Sequence, residues 1–140
     1  MRYMLDTCTL IYYISEHDKL TRDVQAILQE WDSQLCVSAE TIRELVVGYN
    51  NGKWYNKRWA TCEEMARSIE RDYDVDILPV DKYVTYQYSK LRLNTAKDHK
   101  DPSDHIIISH AIVTHIPLIS SDTKFDFYKN QGLDLIENYS

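Results

Sequence analysis

Arg2-Tyr3-Met4-Leu5-Asp6-Thr7 is the stretch from which the fold is read. Its first four residues form a short, largely apolar run suited to a strand. The run ends on Asp6-Thr7, which can cap a helix whose apolar positions follow at Leu10, Ile11 and Ile14. The opening unit is thus a strand, an aspartate and a helix.

Working outward, Val24, Ile27, Leu28 and Trp31 recur at helical spacing and predict a helix over Thr21 to Trp31. Leu35-Cys36-Val37 is a compact strand, followed by Ser38 as an N-cap and a helix carrying Ile42, Leu45, Val46 and Tyr49. Asn50-Asn51-Gly52 marks a turn before a helix over Trp59 to Tyr73. Between Asp74 and Val80, Val75 and Ile77 alternate with acids ahead of Pro79, which suits a strand. Val84, Tyr88 and Leu91 define an amphipathic helix from Asp81 to near Ala96, and the polar run Lys97 to Lys100 reads as loop. Asp101-Pro102 starts a helix with a cap and a proline in its first turn, and Ile107, Ile108, Ala111 and Ile112 supply its buried face until Pro117 ends it. Leu118-Ile119-Ser120 is a short strand, Lys124 to Lys129 about one helical turn, and Leu133 to Ile136 a last strand. This alternation predicts the α/β class, with a mostly parallel sheet of four to five strands covered by helices on both faces.

A length of 140 residues fits a single domain, 1–140, able to bury a core without disulfides or structural metal. With 44% hydrophobic residues and only 3 Gly and 3 Pro, disordered and fibrous classes are excluded. No apolar run reaches membrane-spanning length and no signal-peptide core is present, so a cytoplasmic protein is expected. Cys8, Cys36 and Cys62 are read as buried free thiols, and the absence of a Cys-x-x-Cys pair argues against a zinc site. A net charge of −6 excludes a broad positive surface for nucleic acid. It leaves room for a nuclease whose acids gather around bound cations.

In sheets of this kind the connections leaving the carboxyl ends of strands build the active site. Asp6 and Asp122 each stand at or just after a strand end, and Asp104 lies in the first turn of a helix that starts at that edge. Glu44 lies about six residues beyond its strand, roughly 9 Å up the helix, and reaches the others only through its longer side chain. Each acid has a plainer reading. Asp6 can serve simply as a helix cap, Asp104 as part of an N-terminal capping arrangement and Asp122 as a turn residue, while Glu40 is read as a helix-dipole acid.

Taken with their neighbours, these positions resemble the ordered motifs of PIN-domain proteins, and most nearly the VapC-like toxins. The motifs are Met4-Leu5-Asp6-Thr7, Thr41-Ile42-Arg43-Glu44-Leu45 with Gly48-Tyr49, Asp101-Pro102-Ser103-Asp104 followed by Ile106 to Ala111, and Leu118-Ile119-Ser120-Ser121-Asp122 with Phe125. The resemblance spans nearly the whole chain. It implies a three-layer α/β/α fold and a Mg²⁺- or Mn²⁺-dependent endoribonuclease. It also implies metal-binding and catalytic roles for Asp6, Glu44, Asp104 and Asp122, with Thr7 and Ser120 in support. A cognate antitoxin and homodimerisation follow from the family too. The chain departs from the pattern at Cys8, where many relatives carry Asn, His or another polar residue. Ser103 and His105 replace the common Phe and Arg. These positions bear on substrate contacts more than on the metal site.

Two unit charges about 4 Å apart repel by roughly 4 kcal/mol at an effective dielectric of 20, so four converged carboxylates call for cations. Mg²⁺ takes oxygen ligands and keeps several waters, which leaves places for a phosphate oxygen and an attacking water. The densest mixture of cations and rings is Lys53-Trp54-Tyr55-Asn56-Lys57-Arg58-Trp59. Lys53, Trp54, Lys57 and Arg58 are accordingly candidates for contact with RNA or a partner protein, with packing or a partner preferred. His99, His105, His110 and His115 are assigned to surface or helix packing. The 11 tyrosines suit packing and an interface with a second copy.

Three other functions match the sequence less well. A phosphatase with a nucleophilic aspartate usually needs a second Asp two residues after the first, where Cys8 stands. A two-component receiver domain needs paired acids near its first strand and a later Lys at a strand end. A PIN-like module that binds RNA or a partner without cutting fits the fold but not the intact set of acids.

Overall fold

The computed structural model describes residues 1–53 and 59–139. Its five strands are β1 (Arg2–Leu5), β2 (Gln34–Ser38), β3 (Val75–Leu78), β4 (Leu118–Ser120) and β5 (Leu135–Glu137). They form one sheet in the order β3-β2-β1-β4-β5, and every pairing is parallel. The helices are α1 (Thr7–Ser15), α2 (Arg22–Gln29), α3 (Ala39–Asn50), α4 (Cys62–Tyr73), α5 (Lys82–Lys90) and α6 (Pro102–Thr114). Short 3₁₀ helices cover His17–Lys19, Thr95–Lys97 and Thr123–Gln131.

Alternation along the strands divides the core into two layers. Tyr3 and Leu5 of β1 join Leu10, Val24, Leu45, Met65 and Ile69 from α1 to α4 on one face. Met4 points the other way, onto Ile107, Ile108 and Ala111 of α6 and Phe125 and Tyr128 of the last 3₁₀ helix. This is the expected α/β architecture, with helices on both faces of a parallel sheet. None of the helices among the described residues is long and apolar enough to cross a membrane.

Local capping fixes where the helices nearest the site begin. Thr9 N–H donates to Asp6 Oδ1 at 2.9 Å, Glu40 N–H to Ser38 Oγ at 3.2 Å and Ser103 N–H to Asp101 Oδ1 at 3.0 Å. Four expectations need correction. The second helix stops at Gln29, because Ser33 Oγ donates to Ile27 O at 2.7 Å and closes its end, so Trp31 is 95% exposed instead of buried. The fourth helix begins at Cys62, where Thr61 Oγ1 accepts from Glu64 N–H at 3.1 Å. The fifth ends at Lys90, since Arg92 N–H is drawn to Gln131 Oε1 at 2.9 Å, well short of Ala96. Of the three thiols only Cys36 is fully buried; Cys62 is half-buried and Cys8 is exposed.

The strand order places the switch point of the sheet between β1 and β4. From β1 the chain builds toward β2 and β3, then crosses back to add β4 and β5 on the other side. Connections leaving β1 and β4 diverge there and open a crevice at their carboxyl ends.

Candidate metal centre

Asp6 follows β1 and Asp122 follows β4, so both enter that crevice from adjacent strands, and Asp6 N–H donates to Ile119 O at 3.2 Å across it. Asp6 is buried with both oxygens engaged: Oδ1 accepts from Thr9 N–H and Oδ2 accepts from Ser120 Oγ at 2.6 Å. The same Ser120 hydroxyl accepts from Asp122 N–H at 3.1 Å, tying the two aspartates to one side chain. Asp122 in turn caps the 3₁₀ helix that follows, with Lys124 N–H on its Oδ1 at 2.9 Å. The capping reading of Asp6 is therefore correct as far as it goes, and Asp122, read as a turn residue, also caps; a carboxylate has lone pairs to spare for a second task.

Asp104 stands in the first turn of α6 and is half-buried. Burial and then the neighbouring charges of Asp101, Asp6, Glu44 and Asp122 push its carboxyl up to about 8. Asp6 is raised as well, chiefly by burial, against the lowering effect of its hydrogen bonds to Ser120 and Thr9. Glu44 reaches inward from α3 to accept from Thr7 Oγ1, and Thr7 Oγ1 also lies 3.3 Å from Thr41 Oγ1. Although Cys8 is an exposed residue, its thiol is pushed up to about 11 by partial loss of solvent at the sulfur and then by the charges of Asp6, Asp104, Glu44 and Asp122. Asp6, Glu44 and Asp122 thus all lie within electrostatic range of Asp104, with Asp6 tied to Asp122 through Ser120 and Glu44 held by Thr7.

Asp6 and Asp104 are raised chiefly by burial and further by neighbouring acids, and a divalent cation relieves both effects by compensating the buried negative charge. An all-oxygen donor set of this kind fits a hard ion such as Mg²⁺ or Mn²⁺.

His99 was missed as a site residue. The polar segment is irregular as expected only past Lys97, which ends a 3₁₀ helix; there Asp98 adopts a left-handed conformation at φ 53° and turns His99 inward, where it is 3% exposed. His99 Nε2 lies 3.1 Å from Asp104 Oδ2 and its Nδ1 lies 2.9 Å from the hydroxyl of Tyr128. One atom each from His99, Asp104 and Asp122 fall within 4.8 Å of one another. His105 and His110 are buried in packing roles, with His105 Nε2 donating to His99 O and His110 Nδ1 2.8 Å from Ser38 Oγ. His115 is exposed at the end of α6.

Glu40 lies in the first turn of α3 as expected and has further partners. It is buried, and it accepts from Arg43 Nε at 2.7 Å and from Ser103 Oγ of α6 at 3.0 Å. Arg43 is thereby held at the rim of a cleft of about 260 Å³ beside Glu44, with Thr7, Asn51, Lys53 and Ser103 among its walls. Lys53 is thus placed next to the acids. Trp54, Lys57 and Arg58 lie outside the described residues.

A family model for the PIN domain matches residues 3–130. The chain belongs to the PIN domain family. None of the curated proteins matches it. Among solved structures this PIN domain is similar to a chain of VapBC2 from Rickettsia felis bound to a DNA fragment from its promoter, with a TM-score of 0.70, 22% identity and 98% of each chain covered. It is similar to a chain of VapBC-1 from nontypeable Haemophilus influenzae, with a TM-score of 0.65, 24% identity and 98% of each chain covered. A third likeness is to VapBC-5 from Mycobacterium tuberculosis, a member of the VapBC family of toxin-antitoxin systems, with a TM-score of 0.61 and 20% identity over 97% of this chain and 98% of that one. At these identities the shared property is the fold.

Proposed function

We propose that this PIN domain is a divalent-metal-dependent endoribonuclease and the toxin of a toxin-antitoxin pair, with Asp6, Glu44, Asp104 and Asp122 holding the metal. The observation that carries the reading is the meeting of three aspartates from two strand ends and a helix start at the switch point of the sheet, with Asp104 pushed up to about 8 by burial and then by the neighbouring acids. A bound Mg²⁺ or Mn²⁺ would supply charge neutralisation, a binding point for a phosphate oxygen and an acidified water.

The protein's own residues prepare that place. Ser120 orients Asp6 and bonds the backbone of Asp122, Thr7 holds Glu44, and both oxygens of Asp6 are hydrogen-bonded within the protein itself. Arg43 and Lys53 supply positive charge along the cleft beside Glu44, where an RNA strand can pass without meeting only acids. The antitoxin partner is supported by the likeness to VapBC structures, and the homodimer and the cytoplasmic site of action belong to the same reading.

Cleavage of a mixed RNA pool in Mg²⁺ or Mn²⁺, its loss in EDTA and its loss in Asp104→Asn at unchanged circular dichroism are the expected results. Metal-independent cleavage, or full activity in Asp104→Asn, would overturn the reading.

A further inference from the structure

The ring of His99 sits between a buried phenol and the Asp104 carboxylate, and hydrogen-bond accounting fixes where its proton is. Tyr128 is fully buried and its hydroxyl accepts from Asn94 N–H at 3.1 Å. Among the described residues the other partner of that hydroxyl is His99 Nδ1, at 2.9 Å. If Nδ1 carried the ring proton, the phenol would accept twice and its own proton would be left buried without an acceptor, an arrangement that folded proteins avoid. The phenol must therefore donate to Nδ1. That leaves the single proton of the neutral ring on Nε2, which faces Asp104 Oδ2 at 3.1 Å, an atom that accepts whether or not the carboxyl is protonated.

We infer that His99, held as its Nε2–H tautomer by Tyr128, is a positioning residue that anchors one oxygen of Asp104, and not a metal ligand. This rests on the nuclease reading only in making Asp104 a metal-binding acid. The closeness of His99, Asp104 and Asp122 suggests a three-ligand site at first sight. A ring nitrogen can bind metal only through a free lone pair, however, and the one facing the acids carries the proton. The supporting frame is hydrogen-bonded on both sides of the ring. His99 N–H donates to Asn94 O at 3.1 Å, and His99 O accepts from His105 Nε2 at 3.0 Å, so the backbone is pinned on both sides of the ring. Outer partners of this kind typically change metal affinity 10–100-fold when removed.

Long-range ¹H–¹⁵N correlation on metal-free, ¹⁵N-labelled protein tests the tautomer without RNA or activity. The expected result is a protonated Nε2 and a lone-pair Nδ1 on His99, unchanged when Mg²⁺ is added. A protonated Nδ1, or transfer of the proton to Nδ1 on adding metal, overturns the inference. Titration of Mn²⁺ binding by its paramagnetic resonance signal gives the second arm. His99→Ala should raise the midpoint on the order of tenfold or more, and His99→Gln, which restores an amide donor, should recover most of it. Wild-type affinity in His99→Ala, or nitrogen hyperfine coupling to the bound Mn²⁺ assigned to His99, overturns it equally. Failure of the wild type to bind metal would remove the nuclease reading, while the tautomer measurement would still decide this one.

Discussion

Ser120 Oγ donates to Asp6 Oδ2 at 2.6 Å, with both residues buried at the carboxyl ends of neighbouring strands. Because the same oxygen accepts from Asp122 N–H, one hydroxyl sets the spacing between two acids that lie 116 positions apart, from 6 to 122. Ser120→Ala leaves a buried carboxylate and a backbone N–H each short of a partner. A hydrogen bond to a charged group contributes about 1.5–3 kcal/mol, so thermal unfolding should report a loss of that order. The midpoint for Mg²⁺ activation should rise on the order of tenfold as well. An Ala variant with the melting temperature and metal midpoint of the wild type would show that Ser120 does not organise the site.

The raised carboxyl of Asp104 makes the metal-free protein sensitive to pH. Its folded value is about 8 against an ordinary 3.8, so the folded state binds this proton more tightly than the unfolded chain does. The resulting stability is fully present below about pH 4 and is lost progressively as pH rises through 8. Burial raises Asp6 in the same direction. In EDTA the melting temperature should fall between pH 5 and pH 8.5, and Asp104→Asn should flatten that slope. Saturating Mg²⁺ should flatten it too, because the cation takes the place of the proton. A slope that survives in Asp104→Asn would assign the effect to other groups.

Much of this arrangement is legible in sequence because it is local. Asp6, Ser38 and Asp101 cap helices with their own side chains, and each sits at the end of an apolar run or before a proline, so strand ends and helix starts could be placed without tertiary information. Asp6, Asp104 and Asp122 were reachable by that route. His99 was not, because a polar run with a histidine in it carries no sign of burial. Its position is set by Tyr128, 29 residues later, and by the left-handed turn at Asp98. Glu40 hid in the same way: its partner Ser103 is 63 residues distant, across the gap between α3 and α6. Trp31 failed in the opposite sense. It keeps helical spacing with Leu28, but Ser33 turns the chain away before that spacing can take effect.

The tether from Glu40 to Arg43 predicts how the cleft beside Glu44 treats nucleic acid. Arg43 is half-exposed at 59% and held through Nε and one terminal nitrogen, so its remaining donors stay available at the rim, with Lys53 also in the cleft wall. If a strand passes there, each cation neutralises a phosphate and releases counterions. The slope of log affinity against log salt should then fall by about 0.7 for each one removed from a single-stranded RNA. Arg43→Ala and Lys53→Ala should each show that drop in binding to RNA by the catalytically silenced Asp104→Asn protein. In the active enzyme each should raise KM with little change in kcat, because the contact is made equally in ground and transition states. Glu40→Gln should have a smaller effect of the same kind, since the amide still accepts from Ser103 but no longer fixes the guanidinium with a full charge. An unchanged salt slope in both cation variants would direct the strand to another face and leave Arg43 as a structural partner of Glu40.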